Sequence, residues 1–73
     1  MRAATPSSVI RRFSYDPPGR RLRVTFTSGD VYDYEQVPPD VVEGFRGAPS
    51  KGRFFGPNIR DRYPYRRIAR GGA

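Results

Sequence analysis

Between Arg21 and Thr27 the apolar residues Leu22, Val24 and Phe26 alternate with Arg21, Arg23, Thr25 and Thr27. That is the period-two signature of a strand in a sheet with one wet face. Thr27-Ser28-Gly29 is a turn, and Val31 to Glu35 return antiparallel. Parity decides the register. A two-residue turn at Ser28-Gly29 sets Tyr32 opposite Thr25 and Asp33 opposite Val24, which buries acids. A type I turn with Gly29 as the left-handed bulge residue instead pairs Phe26 with Asp30, Val24 with Tyr32 and Leu22 with Tyr34. Both tyrosines then join the apolar face, and Asp33 and Glu35 join Arg23 and Thr25 on the wet one. The second register is preferred, because a slip of one residue inverts every side chain.

Upstream, Ser8 to Tyr15 supply Val9, Ile10, Phe13 and Tyr15. Their parity breaks between Ile10 and Phe13, and a bulge at Arg11-Arg12 puts both ends on the core. Asp16-Pro17-Pro18-Gly19 closes this strand, since neither proline donates to a ladder and Gly supplies a positive φ. Downstream, Val37-Pro38-Pro39-Asp40 opens a helix, with proline tolerated in the first turn and Asp40 near the positive end of the dipole. Val41, Val42 and Phe45 give it an inner face, and Gly47 stops it. Ser50 is a candidate N-cap for a short turn carrying Phe54 and Phe55, ended by Gly56-Pro57. Ile59 and Tyr63 are expected to return to the sheet. The spacing predicts an α+β fold, a three-stranded antiparallel β-meander covered on one face by one helix and a short helical turn. Residues 8–68 form the domain, between a flexible lead at 1–7 and a flexible tail at 69–73.

Charge adds a location. The 73 residues carry 14 basic and 7 acidic side chains, net +7, and all the bases are Arg except Lys51. Residues 1–29 are +5, residues 30–45 are −5 (Asp30, Asp33, Glu35, Asp40, Glu43), and residues 46–73 are +7. The first two segments cancel, so the uncompensated charge belongs to the last. Such a block implies an acidic partner: nucleic acid, an anionic membrane or an acidic protein face. No apolar run approaches the ~18 residues of a membrane span, and no amphipathic basic helix of useful length is visible. The N-terminus lacks the apolar stretch of a signal peptide. A soluble, cytoplasmic, monomeric protein is expected, with no membrane partner. There is no Cys and no His, which removes disulfides, thiolate nucleophiles, imidazole bases and the usual zinc ligands. No metal or cofactor is expected. Ser8, Ser14 and Ser50 have no activating base, and Asp33 and Glu35 are read as solvated on the wet face, so catalysis is rejected.

With the elements placed, an ordered set of short pieces spans most of the chain. These are Ser8-x-Ile10, Tyr15-Asp16, Leu22-x-Val24-x-Phe26-x-x-Gly29, Tyr32-x-Tyr34 and Val37-Pro38, followed by Ser50-Lys51-Gly52-x-Phe54-Phe55, Ile59-Arg60 and Tyr63-Pro64-Tyr65. Together they resemble the KTSC domain, a short module named from the C-terminal ends of some lysyl-tRNA synthetases and also found as a stand-alone bacterial and phage protein. The chain departs from that pattern at Gly56-Pro57-Asn58, where family members often continue a helix, and at Gly44 and Gly47. The resemblance implies a fold and RNA binding. In size and Arg-rich character alone, the chain also resembles small phage factors that seize host RNA polymerase and inhibit initiation or suppress termination.

Three constellations are candidates. Tyr32-x-Tyr34 offers two rings for base stacking, but the preferred register packs them on Val24 and Leu22. Lys51-Gly52-Arg53 at a helix start offers a phosphate clamp, although it falls short of a Walker loop. Arg60, Arg62, Arg66 and Arg67 interleaved with Tyr63 and Tyr65 form the best surface, because guanidinium takes phosphate or carboxylate in bidentate fashion and tyrosine stacks. The expected partner-binding surface is therefore Lys51, Arg53, Arg60, Arg62, Tyr63, Tyr65, Arg66 and Arg67, with Arg11 and Arg12 marking an edge strand open to β-augmentation. The function expected first is a non-enzymatic transcription regulator docking on bacterial RNA polymerase. The alternative is a generic RNA-binding module.

Overall fold

The computed structural model describes residues 10–71. The lead expected over residues 1–7 lies outside the described residues, as do Ser8, Val9 and the last two residues of the expected tail. The elements in chain order are β1 (Ile10–Asp16), β2 (Arg21–Phe26), β3 (Val31–Tyr34), α1 (Pro39–Gly47), α2 (Lys51–Phe55), a π-helical turn (Gly56–Arg60) and β4 (Tyr65–Ala69). The fold is α+β, with two helices over an antiparallel sheet ordered β1-β2-β3-β4. The sheet has four strands, not the expected three. The fourth is Tyr65–Ala69, whose two adjacent arginines hide any apolar alternation and whose residues are all exposed. Ile59, expected in the sheet, sits in the π-helical turn and is fully buried. Tyr63 lies in the bend that follows, its N–H on the Ile59 carbonyl at 3.1 Å.

The central hairpin follows the parity argument. Val24 faces Tyr32, Leu22 faces Tyr34 and Arg23 faces Asp33. Gly29 at φ 97° makes the left-handed bulge, and Phe26 N–H bonds the Asp30 carbonyl at 2.9 Å. The break in β1 lies between Ile10 and Arg12. In the β1–β2 turn the left-handed residue is Arg20 (φ 52°), not Gly19, and Arg20 N–H closes on the Pro17 carbonyl at 3.2 Å. The two consecutive prolines fix φ early in the turn, so the reversal falls on its last residue.

Leu22, Val24, Tyr34, Val37, Val42, Phe45, Phe55 and Ile59 form the buried core between the sheet and the helices. Pro39 opens α1, and Val42 and Phe45 are its buried face. The Phe45 ring meets Phe13 of β1 at 4.4 Å. Gly44 leaves room for a neighbour, since a Cβ there would stand 3.0 Å from the Phe54 ring. Ser50 caps α2, its hydroxyl accepting from Arg53 N–H at 3.4 Å. α2 ends at Phe55 with Gly56 as its C-cap, as expected, but the chain stays helical beyond it. Proline is tolerated where a helical turn begins, and the chain widens through one π turn, with Asp61 N–H on the Gly56 carbonyl at 3.1 Å and Asn58 Nδ2 donating to the Phe54 carbonyl at 2.9 Å. That extra turn carries Ile59 into the core. Tyr15 Oη donates to the Val37 carbonyl at 2.6 Å and fastens the β3–α1 connection to the sheet. No helix among the described residues is long and apolar enough to cross a membrane.

Candidate nucleic-acid interface

β4 is one of the two edge strands and decides which of the expected residues meet. It pairs Tyr65 with Tyr34, Arg66 with Asp33 and Arg67 with Tyr32, then shifts register before Ala69 meets Val31. Alternation along a strand sends neighbours to opposite faces. Tyr65 and Arg67 therefore share the face of Tyr32 and Tyr34, beyond the cover of the helices, and Arg66 lies on the open face with Asp33. The eight-residue surface expected from sequence is thus divided between two sides of the sheet. β4 ends at Ala69, and beyond it Gly71 N–H donates to Asp30 Oδ1 at 2.7 Å.

On the helix side, Phe26, Tyr32, Tyr34, Phe55 and Tyr65 line a groove of about 280 Å³ with Arg60 and Asp30. Its rings form a connected set. Tyr65 stands 5.5 Å from Tyr32 and 5.6 Å from Tyr34 between centroids, and Phe55 meets Tyr34 and Phe26 edge-on at 5.3 and 5.5 Å. Tyr34 is buried, which pushes its hydroxyl up to about 12, aided by Tyr32 and Tyr65 and opposed by the Arg60 charge. It therefore remains a neutral hydroxyl near neutral pH. Tyr65 keeps 58% of its surface exposed. The Arg60 guanidinium also stays accessible, with Nε 3.2 Å from Asp61.

The other expected residues divide plainly. Lys51 is spent on the fold: its Nζ donates to the Ala48 carbonyl at 2.7 Å and the Arg46 carbonyl at 3.1 Å, satisfying the end of α1. Since Ser50 also occupies Arg53 N–H, no phosphate clamp is assembled at Lys51-Gly52-Arg53. The Arg53 side chain is exposed on α2, Arg62 is exposed in the turn after Arg60, and Tyr63 packs half-buried on the core. Arg11 and Arg12 are exposed on β1, the opposite edge of the sheet.

The open face holds a larger concavity of about 440 Å³ whose lining includes Arg12, Ser14, Arg23, Thr25, Val31 and Ile68. Two of the arginines on this face, Arg23 and Arg21, are matched by carboxylates. Arg23 donates to both oxygens of Asp33 at 2.7 and 3.0 Å, and Arg21 stands 3.4 Å from Glu35 and 4.0 Å from Asp33. Asp33, expected to be solvated, is 4% exposed. The Arg23 hydrogen bond holds its carboxyl below the usual range against burial, helped by the charges of Arg23, Arg21 and Arg66. Phe13, the one ring in that lining, is engaged with Phe45. Among the described residues, Arg11, Arg12, Arg20, Arg53, Arg62, Arg66, Arg67 and Arg70 make no ion pair within 4.0 Å. Three of these eight follow one another closely on and just after β4.

Sequence reasoning missed the ring groove because Phe26, Phe55 and Tyr65 come from three separate segments. The available signal was the even spacing of Tyr65 and Arg67, which matches that of Tyr32 and Tyr34.

Comparison with known proteins gives a consistent picture. Residues 6–63 match the family model described as the KTSC domain. The crystal structure of a KTSC domain protein from Yersinia pestis is similar at a TM-score of 0.83 and 36% identity, covering 94% of this chain and 97% of that one. An uncharacterized protein of Stutzerimonas stutzeri is 44% identical over 92% of this chain and 96% of its own length. A lysine–tRNA ligase of Nostoc punctiforme is 40% identical over 85% of this chain, which spans only 11% of that ligase. The span matched by the family model stops short of Tyr65, Arg66 and Arg67.

Proposed function

The chain belongs to the KTSC domain family, and from that premise we propose that it is a non-enzymatic RNA-binding module that grips the phosphate backbone along β4. The observation that carries this reading is an edge strand exposed at every residue, with Arg66 and Arg67 unpaired and aimed at opposite faces. A strand so placed straddles a backbone, one guanidinium on each side, and its bidentate donors suit phosphate oxygens. Release of counterions supplies the affinity without any base being read. A lysine–tRNA ligase carrying a segment 40% identical to this chain supports RNA over other polyanions as the partner. The chain has no His, and Asp33, held below the usual carboxylate range, is unsuited to proton donation near neutrality.

Docking on bacterial RNA polymerase, to inhibit initiation or suppress termination, is the second reading. The two sheet edges among the described residues, β1 and β4, favour it, because an edge strand offers backbone groups to a protein strand. Fluorescence anisotropy with labelled tRNA and single-stranded RNA between 50 and 200 mM salt separates the two. RNA binding whose logarithm falls linearly with log salt is the expected result. Absence of RNA binding at the lowest salt, with polymerase subunits recovered from nuclease-treated lysate, replaces this reading with the second.

A further inference from the structure

We infer that the ring-lined groove beside β4 is a site for one unstacked nucleobase and its phosphate; this rests on, and deepens, the RNA-binding reading. Stacking needs an accessible aromatic face, and the groove has one: Tyr65, 58% exposed, backed by Tyr32 at 5.5 Å and Tyr34 at 5.6 Å. Tyr65 is backed by Tyr34, a ring of the buried core, and by Tyr32, half-buried against that core, so little side-chain freedom is lost when a base settles on it. At about 280 Å³ the groove falls just below the ~300–1,000 Å³ range of small-ligand sites, which suits one base and not a stacked pair.

Charge sets the direction of the occupant. Asp30 lies at the turn end of β3, four residues from Tyr34, with one oxygen engaged by Gly71 N–H. Arg60 lines the groove beside Tyr34 at the other end; its Nε faces Asp61 at 3.2 Å, but the guanidinium is 60% exposed and its remaining N–H donors stay open to a phosphate. A phosphate is repelled by Asp30 and drawn to Arg60, so the base edge, with its N–H donors, points toward the carboxylate. Arg67, opposite Tyr32 on the same face, is placed for a neighbouring phosphate of the same strand. The open face offers no equivalent: Arg23 is committed to Asp33, and Phe13 to Phe45.

The test is a titration of the full chain with adenosine and guanosine monophosphates, read by tyrosine fluorescence and amide NMR shifts, with inorganic phosphate as a parallel probe. The chain has five Tyr and no Trp, so the fluorescence is that of tyrosine alone, and Tyr32, Tyr34 and Tyr65 line the groove. Nucleotides should bind more tightly than phosphate and shift residues around Tyr32 and Tyr65. Tyr65→Ala should weaken them about 5- to 150-fold, Tyr65→Phe should retain them, and Arg60→Gln should weaken nucleotide and phosphate together. Equal binding of nucleotide and phosphate, untouched by Tyr65→Ala, overturns the base site. RNA binding that survives Tyr65→Ala and Arg60→Gln unchanged overturns it too and leaves the RNA reading standing. Nucleotide binding through Tyr65 without any RNA binding does the reverse.

Discussion

β2 and β4 are built from the same kinds of residue and come to opposite ends. β2 reads Arg-Leu-Arg-Val-Thr-Phe and β4 reads Tyr-Arg-Arg-Ile-Ala. In β2, Leu22 and Val24 are fully buried, and Arg21 and Arg23 are matched to Glu35 and Asp33 on the open face. In β4 nothing is buried, and neither arginine has an ion-pair partner within 4.0 Å. A central strand has neighbours on both sides, so its apolar residues find the core and its charges find carboxylates. An edge strand beyond the helices has one neighbour, and its charges are left for a partner. Arginine composition is therefore uninformative until the position of the strand in the sheet is known.

The sharpest way to break this comparison is to truncate matching positions. Leu22→Ala removes a fully buried side chain and should cost about 2–5 kcal/mol, enough to unfold most of a domain this small. Tyr65→Ala, by contrast, removes only a surface ring resting on Tyr32 and Tyr34 and should cost about 0.5–1.5 kcal/mol. Equal destabilisation by the two would show β4 to be part of the core. Next in size, reversing Arg66 and Arg67 to Glu should weaken RNA binding by about 10- to 100-fold and flatten the salt slope by about 1.4, with the domain still folded and a smaller loss of stability than at Arg23, because Arg66 reaches Asp33 through its charge alone. The same reversal at Arg21 and Arg23 should act on stability more strongly, because it sets like charges against Asp33 and Glu35.

Asp33→Asn probes the matched pair itself and should cost about 1–2 kcal/mol at neutral pH, since Arg23 remains half-exposed and keeps water. Because the folded carboxyl lies below its ordinary value of 3.8, its stabilisation is present above that value and is lost as pH falls through it toward the lowered folded value. Urea midpoints of the wild type and Asp33→Asn should therefore converge in acid; a constant gap down to the lowest accessible pH would contradict the pairing. The smallest effect expected is that of Lys51→Met, about 0.5–1.5 kcal/mol, from losing the bonds to the end of α1. Its RNA affinity should change little, because the ammonium is already engaged.

Much of the fold was legible where one local rule had one solution. Gly29 and the parity of Tyr32 and Tyr34 fixed the β2–β3 register, and the break before Phe13 marked the β1 bulge. β4 was not legible, because Arg66-Arg67 interrupts the alternation and a strand with no buried face leaves no periodic trace. Asp33 was misread for a related reason. Its position on the open face follows from parity, but its burial goes with the Arg23 side chain bonded to both its oxygens and Arg21 standing 4.0 Å away, both from β2. The run through Gly56-Pro57 reads as a stop, and only the packing of Ile59 explains why the chain continues as a wider turn. At the candidate site, the Arg-rich segment was visible as charge, whereas its division between two faces required the fourth strand.

The most direct test is the salt dependence of RNA affinity in the wild type and the Arg66→Glu, Arg67→Glu double variant, each confirmed folded by circular dichroism. The account predicts a linear fall with log salt for the wild type, and for the variant weaker binding with a shallower slope. Identical affinities and slopes for the two proteins would contradict it and move the interface away from β4.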